Sequence, residues 1–414
     1  MKILLLDVNY GSTSTGQIVF NLKKHFERKG HEVQVCYGRH SGEKLHGATK
    51  ISYDFEVYAH AALSRLTGLN GVFSPIATAE LIKKIVDFEP DVVHLHELHG
   101  YYLNASSVIN YLKQNDIPTV WTFHCEIMYT GNCGYAYDCM KWKESCGGCP
   151  QLREYPKTLY FDFTAKMLSI KKSDFNGFST LKIISVSEWL AARVEESFLG
   201  GRGSGVVHNG IDTENIFKPK DTDQLRKDLG ITTDHIIVSI APDIMSERKG
   251  GAWIFQVAKR LETQSVTFVL VGVKGNIEND SSNVICLPAT NDLDLLATYY
   301  SLGDYFLLTS KKETFSLTCV ESLACGTPVL GFDCGAPTQI APIGYGKFVT
   351  YGDLEALVNL VVTSLNDRSQ FFAQRDCLKY ANEAYSLDAM GESYLEVFQA
   401  LLKRGDEQRL ECLE

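Results

Sequence analysis

No run of about eighteen apolar residues occurs in this 414-residue sequence, which excludes a membrane-spanning helix. The first residues, MKILLLD, hold a short apolar run cut by Asp7 and read as a first strand rather than a secretory leader. An excess of positive charge is missing too. Lys and Arg number 40 against 50 Asp and Glu, a net charge of −10, which argues against nucleic acid as the main partner. It leaves room for a local basic patch on anionic lipid. No internal repeat or low-complexity segment is present. The stretch NYGSTSTGQI after the first strand is not a Gly-x-Gly-x-x-Gly fingerprint, and no acid stands at the distance a dinucleotide requires.

What is there describes a globular protein. Residues are 45% hydrophobic and 22% charged, and the length exceeds one ordinary core, so two domains are expected. Twelve cysteines in a chain read as leaderless imply a cytoplasmic setting with thiols free or metal-bound rather than paired. Short strand-like runs alternate with helical ones. Lys2–Asp7, Glu32–Cys36, Asp91–His96, Thr119–Phe123 and Lys182–Val186 form one series. Gly205–His208, His235–Ile240, Thr267–Val271, Val284–Leu287, Tyr305–Leu308 and Pro328–Gly331 form a second. This pattern predicts an α/β fold of two doubly wound, Rossmann-like parallel sheets. Four glycines in Gly200–Gly205 mark the join. Domains are expected over 1–204, with a cysteine-rich loop at 125–150, and over 205–386, followed by a C-terminal helix and tail, 387–414.

The stretch SKKETFSLTCVESLACGTP, residues 310–328, carries the most chemistry. An apolar run, Asp304–Thr309, reads as a buried strand before it. Glu313 then stands where a strand ends and a helix begins, with Glu321 about two turns on. The free N–H groups expected at Thr314, Phe315, Ser316, Leu317 and Thr318 make an anion site beside a carboxylate. A nucleotide diphosphate sugar needs that combination. A second charged loop, APDIMSERKG at 241–250, follows the His235–Ile240 strand and brings Arg248 and Lys249 to the carboxyl edge of a sheet. In the first half, Gly16 lies in the small-residue turn after the first strand. His124 ends a strand, and His94, His96 and His99 with Gly100 follow another.

The Glu-x7-Glu pair, with Ser310, Phe315 and the Ala-Cys-Gly-x-Pro tail, resembles the signature of family 4 retaining glycosyltransferases of the two-domain GT-B fold, colanic-acid, O-antigen or exopolysaccharide type. The resemblance covers essentially the whole chain and implies two domains facing a cleft, with the C-terminal helix crossing back to the first. It implies a hexosyltransferase that moves a sugar from a UDP- or GDP-sugar to a lipid-linked oligosaccharide acceptor in surface polysaccharide assembly. It further implies that Glu313 holds the donor sugar and Glu321 the ribose. Arg248, Lys249 and the residues at 314–318 would meet the diphosphate, and the backbone at Gly272 would border the base. Gly16 would approach phosphate or acceptor. His124 would position the acceptor beside His99, Gly100 and Asn209, the last in a segment, VHNGID, that also resembles the family. The family's arginine six residues before the lysine is here Asp243. No catalytic metal and no protein nucleophile are expected. Weak peripheral contact with an anionic membrane is expected through 61–69 and Lys83-Lys84, on the cytoplasmic face. Two other readings are open: a nucleotide-sugar 2-epimerase of the same fold, and a non-catalytic sugar-nucleotide-binding subunit.

Cys133, Cys139, Cys146 and Cys149 follow a Cys-x5-Cys-x6-Cys-x2-Cys spacing that closes on a Cys-Gly-Gly-Cys knuckle. Four thiolates in one loop suit a closed tetrahedral zinc. Two disulfides or four free thiols are the alternatives.

Overall fold

The structure is a computed structural model, and it describes residues 1–41, 47–275 and 281–411. The chain divides into two units, Met1–His208 with Met390–Glu414, and Asn209–Ala389.

In the first unit the strands are β1 (Lys2–Tyr10), β2 (Glu32–Ser41), β3 (Ala48–Lys50), β4 (Val92–Leu95), β5 (Thr119–Phe123), β6 (Leu181–Ser185) and β7 (Gly205–Val206). They form one parallel sheet in the order β3-β2-β1-β4-β5-β6-β7. Helices on both faces explain why Ile3 to Leu6 and Val92 to Leu95 are apolar almost without alternation and fully buried. Trp121 of β5 stacks on Phe175 at 5.3 Å, and Phe398 of the C-terminal helix, Leu387–Glu411, packs edge-on against Phe26 at 5.5 Å. Gly205 and Val206 pair with β6, so this segment is an edge strand of the first sheet and not the first strand of the second. The division between units falls after His208 rather than inside the glycine run. Those glycines are a surface turn between the helix Glu188–Glu195 and that edge strand.

In the second unit β8 (His235–Ile240), β9 (Val266–Val271), β10 (Val284–Leu287), β11 (Tyr305–Leu308), β12 (Val329–Asp333) and β13 (Gly346–Thr350) form a parallel sheet in the order β10-β9-β8-β11-β12-β13. Ile237, Phe268, Leu270, Leu307, Leu330 and Phe332 build its core with Ile254, Val257 and Ala258 from the helix Gly251–Arg260. In both sheets the strand order turns back at one point, between β1 and β4 and between β8 and β11. Ligands of open α/β sheets bind outside the carboxyl ends of the strands at such points.

Candidate active site

Each turning point carries a charged constellation. In the second unit the loop after β8 closes on the end of β11. Gly250 adopts φ 70°, and a Cβ there would lie 2.3 Å from the Thr309 carbonyl oxygen; one on Gly251 would lie 2.6 Å from that of Ile244. Only glycine permits so close an approach. The Thr309 hydroxyl donates to the Lys249 carbonyl at 3.0 Å, and the Lys311 N–H to that of Arg248 at 2.8 Å. This delivers Lys249 Nζ to 2.6 Å and Arg248 Nη1 to 3.2 Å of Glu313 Oε1. Glu313 is itself pinned by main-chain bonds, its N–H to the Cys334 carbonyl at 2.9 Å and its carbonyl from the Ala336 N–H at 3.1 Å. Burial pushes the carboxyl up. The Lys249 and Arg248 charges, with hydrogen bonds from Lys249 and Ser310, more than offset this and hold it below the ordinary glutamate value.

The helix after Glu313 is shorter than expected, Leu317–Ala324, and Glu313 precedes it in a bridge to Gly335. Ser316 at φ 93° turns the chain into the helix, so the groups with no partner one turn back are those of Leu317 onward rather than of Thr314. Glu321 accepts a hydrogen bond from the Tyr300 hydroxyl at 2.7 Å, and burial raises its carboxyl. Asp243 pairs with Lys274 at 2.7 Å, so Arg248 is the second cation on Glu313. A Cβ on Gly272 would meet the Ala241 carbonyl oxygen at 1.6 Å, so this glycine holds β8 and β9 loops together. Asn209 is buried, with its side-chain oxygen unpartnered.

In the first unit, Asp7 lies near the carboxyl end of β1 and Glu97 two residues beyond β4. Asp7 Oδ1 accepts the Glu97 N–H at 3.0 Å, and burial together with the Glu97 charge pushes its carboxyl up to about 7. Glu97 Oε2 lies 2.7 Å from His99 Nε2, and the Cys125 thiol 3.5 Å from the same nitrogen. Burial works against the His99 imidazolium, but Glu97 and Cys125 more than offset it and hold the ring well above its usual range. Sequence reasoning missed Asp7 and Glu97. The available signal was a carboxylate at the end of an otherwise apolar strand. Gly100 at φ 109° passes within 2.6 Å of Val8 Cγ2, counted from a Cβ it lacks. Gly16 is buried against the Asn9–Tyr10 backbone, where a Cβ would sit at 3.0 Å, so its small size serves helix–strand packing.

Buried His94 and His96 form a ladder with half-buried His124. His96 Nδ1 is 3.0 Å from His124 Nε2, and the rings of His94 and His96 are 4.2 Å apart. His94 bonds Thr122 at 2.8 Å, which bonds Tyr394 of the C-terminal helix at 2.9 Å, so His94 is core rather than site lining. Burial pushes His94 down to about 3, His124 to about 4 and His96 well below the ordinary histidine value. The folded chain therefore keeps these rings neutral where the unfolded chain takes up protons. Stability should fall as pH falls from about 6.5 toward 4. Asp7 acts the other way, since the folded chain keeps its proton up to about 7 and that contribution fades as pH rises. Burial also raises the Glu321 carboxyl, which acts with Asp7, and pushes His60 down to about 4, which acts with the three rings. The imidazoles outweigh the carboxyls and leave a net loss on the acid side, ~3 kcal/mol from His124 alone by pH 4. Urea midpoints should drop across this window, and His94→Gln, which can still bond Thr122, should make the slope shallower. A flat midpoint from pH 7 to 4.5 would contradict neutral rings.

The four loop cysteines are unpaired. Cys133 and Cys149 share a hydrogen bond, which raises the Cys133 thiol and lowers that of Cys149. The Gly131 N–H donates to Cys146 Sγ at 3.2 Å and the Gln151 N–H to Cys149 Sγ at 3.4 Å. Among the described residues the one set of three candidate ligand atoms within 4.8 Å of each other is Glu97, His99 and Cys125, so the cysteines are more widely spread than a bound ion would hold them. The loop also has a framework of its own. Trp142 and Tyr129 are buried, and Arg193 Nε meets the buried Glu126 carboxylate at 2.6 Å.

Two Rossmann-like parallel sheets, the second carrying a lysine-glutamate pair at its turning point, define a GT-B protein. The chain belongs to the glycosyltransferases: residues 15–215 match the Glycosyltransferase Family 4 model and residues 235–367 the Glycosyl transferases group 1 model. It is 24% identical to the putative colanic acid biosynthesis glycosyl transferase WcaC of Escherichia coli (strain K12), over 97% of this chain and 100% of that one. Its fold is similar to that of sucrose-phosphate synthase from Thermosynechococcus elongatus (TM-score 0.68, 15% identity, 97% of this chain and 99% of that one). It is also similar to Anabaena HepE in complex with UDP and glucose (TM-score 0.65, 18% identity, 96% and 99%). No helix among the described residues is long and apolar enough to cross a membrane.

Proposed function

We propose that this glycosyltransferase moves a hexose, with retention of configuration, from a UDP- or GDP-sugar to a lipid-linked oligosaccharide during bacterial surface polysaccharide assembly. The observation that carries the reading is the buried Glu313 carboxylate, held ionised by Lys249 and Arg248 at the turning point of the second sheet. On this reading Lys249 and Arg248 exchange part of that pairing for the donor diphosphate, joined by the N-terminus of helix Leu317–Ala324. Glu313 takes the hydroxyls of the donor sugar and Glu321 the ribose. A lysine beside the leaving diphosphate stabilises the charge that grows there as the glycosidic bond breaks. The same phosphate assists deprotonation of the acceptor hydroxyl on the same face, so no side chain is assigned as nucleophile.

The acceptor is assigned to the first unit, where Glu97, His99 and Gly100 stand at the other turning point. His124, neutral and bonded to His96, orients rather than donates a proton at neutral pH. In the second unit, Asn209 keeps a buried side-chain oxygen with no hydrogen-bond partner, able to accept from a sugar hydroxyl. The WcaC likeness supports polysaccharide assembly, and the UDP and glucose bound by HepE support the donor class. A lipid-linked acceptor implies work at the cytoplasmic face of a membrane with weak peripheral attachment. Cys133, Cys139, Cys146 and Cys149 are read as a structural zinc set on their spacing, with N–H bonds to Cys146 and Cys149 and four sulfurs that would leave no position open for chemistry.

Incubation with a panel of UDP- and GDP-sugars tests the reading. Slow release of free nucleotide from one donor, accelerated by a lipid-linked acceptor, is expected. Conversion of the donor sugar with the nucleotide still attached would indicate the 2-epimerase. Tight binding without turnover of any donor would indicate a non-catalytic subunit.

A further inference from the structure

The helix Asp54–Thr67 is inside out. Phe55, Tyr58, Ala59, Ala62, Leu63 and Leu66 follow the spacing of a single helical face. In a globular protein that face turns to the core. Here it is the exposed one, with Phe55 64% and Tyr58 74% accessible, and the polar residues Glu56, His60 and Ser64 are buried. The rotation is fixed by specific bonds. Glu56 accepts the Ile76 and Ala77 N–H groups at 2.8 and 3.0 Å, capping the next helix, and His60 Nδ1 lies 2.8 Å from the Ser74 hydroxyl. Turning the apolar face inward would break all three. A second row of exposed aromatics adjoins the end of this helix. The Leu159 N–H donates to the Arg65 carbonyl at 2.8 Å, and Leu159, Tyr160 (73%) and Phe161 (56%) stand exposed beside it. A patch of this kind marks an interaction site.

We propose that this face docks the chain on an anionic lipid bilayer, an inference that rests on the lipid-linked acceptor reading for its purpose. Its composition is interfacial: Tyr and Phe with Leu in the plane, and cations beside them. Arg65, Arg153, Lys157 and Lys166 are exposed here against Glu154, while Asp162 turns to the Cys149 and Thr164 N–H groups and Asp54 is paired with Lys50. Lys166 lies over the Phe163 ring at 5.9 Å. A chain with net charge −10 thus turns a locally positive, aromatic surface outward. A second copy fits less well, because a two-fold interface sets each patch against itself and brings these cations together. The expected contact at 61–69 falls on this face through Ala62, Leu63 and Leu66. Lys84 instead pairs with Glu80 on another helix.

Flotation of the full chain with phosphatidylcholine vesicles, with and without roughly one third phosphatidylglycerol, tests this. Binding is expected to the anionic vesicles, weakened by high salt. Phe55→Ser with Leu63→Ser, and separately Tyr160→Ser with Phe161→Ser, should each weaken it about tenfold or more. Lys157→Glu with Lys166→Glu should remove the preference for anionic lipid. All these residues are exposed, so melting temperature and lipid-free donor hydrolysis should not change. Failure of the wild-type chain to float overturns the proposal, as does equal binding to neutral and anionic vesicles at both salts. So does a lipid-independent dimer, seen by sedimentation, that Phe55→Ser with Leu63→Ser abolishes. Absence of donor hydrolysis in a chain that floats would instead overturn the catalytic reading and leave the docking face standing.

Discussion

Glu313→Ala and Lys249→Ala are each expected to lower kcat/KM for sugar transfer by about 10²–10³, the ~2–4 kcal/mol that a charged contact strengthened in the transition state contributes. The two variants should differ in stability. Removing Glu313 leaves Lys249 and Arg248 with access to solvent. Removing Lys249 leaves a buried carboxylate with Arg248 as its remaining cation, at 3.2 Å, and a charge left short of its partner is costly. Lys249→Ala should therefore melt at a lower temperature, and Glu313→Ala close to the wild type. Glu313→Gln separates charge from shape, since it keeps an acceptor for Lys249. It should lose most of the activity while leaving the fold intact. Near-normal turnover in either alanine variant, with nucleotide release measured at saturating donor, would remove the pair from the reaction. An equal fall in the activity and folded fraction of both would make it a structural bridge.

Much of this frame can be read from the chain because parallel strands buried on both faces leave long apolar runs. β1, β4, β5, β8, β9 and β11 all announce themselves so. Of the edge strands only β10 does. β3 and β13 are half-exposed, and Gly346–Thr350 carries Lys347 among its five residues. β7 is two residues, too short for any pattern, so the sequence alone groups Gly205 with the second sheet although it pairs with β6. Lys249 and Glu313 were legible as charges after buried strands, but the bond between them was not. It depends on how closely Gly250 approaches Thr309. The face of helix Asp54–Thr67 was likewise hidden. The sequence turns 61–69 toward a membrane but leaves Phe55 and Tyr58 out, because the residues that set the helix's rotation, Ile76, Ala77 and Ser74, act through bonds formed only on folding.

Purified without chelator, the protein is expected to carry one zinc per chain on Cys133, Cys139, Cys146 and Cys149. Tetrahedral coordination at about 2.3 Å holds sulfurs roughly 3.8 Å from one another, closer than the four stand in this structure. The hydrogen bond with Cys133 lowers the Cys149 thiol, while burial raises that of Cys146. The buried Lys171 ammonium donates to the Thr130 carbonyl at 2.9 Å beneath the loop, and its charge acts on Cys146 against the effect of burial. Metal binding energy becomes folding energy where a site is absent from the unfolded chain. Here its reach should be local, because Trp142, Tyr129 and the Glu126–Arg193 pair hold one side of the loop without a metal. Cys146→Ser with Cys149→Ser should therefore expose 135–143 to protease and leave the main melting transition within a few degrees. Transfer should fall through a raised acceptor KM, while donor hydrolysis in the second unit survives. Less than about a tenth of a zinc per chain by elemental analysis would end the metal reading. Thiol titration would then follow, with four reactive groups marking free cysteines and none marking disulfides.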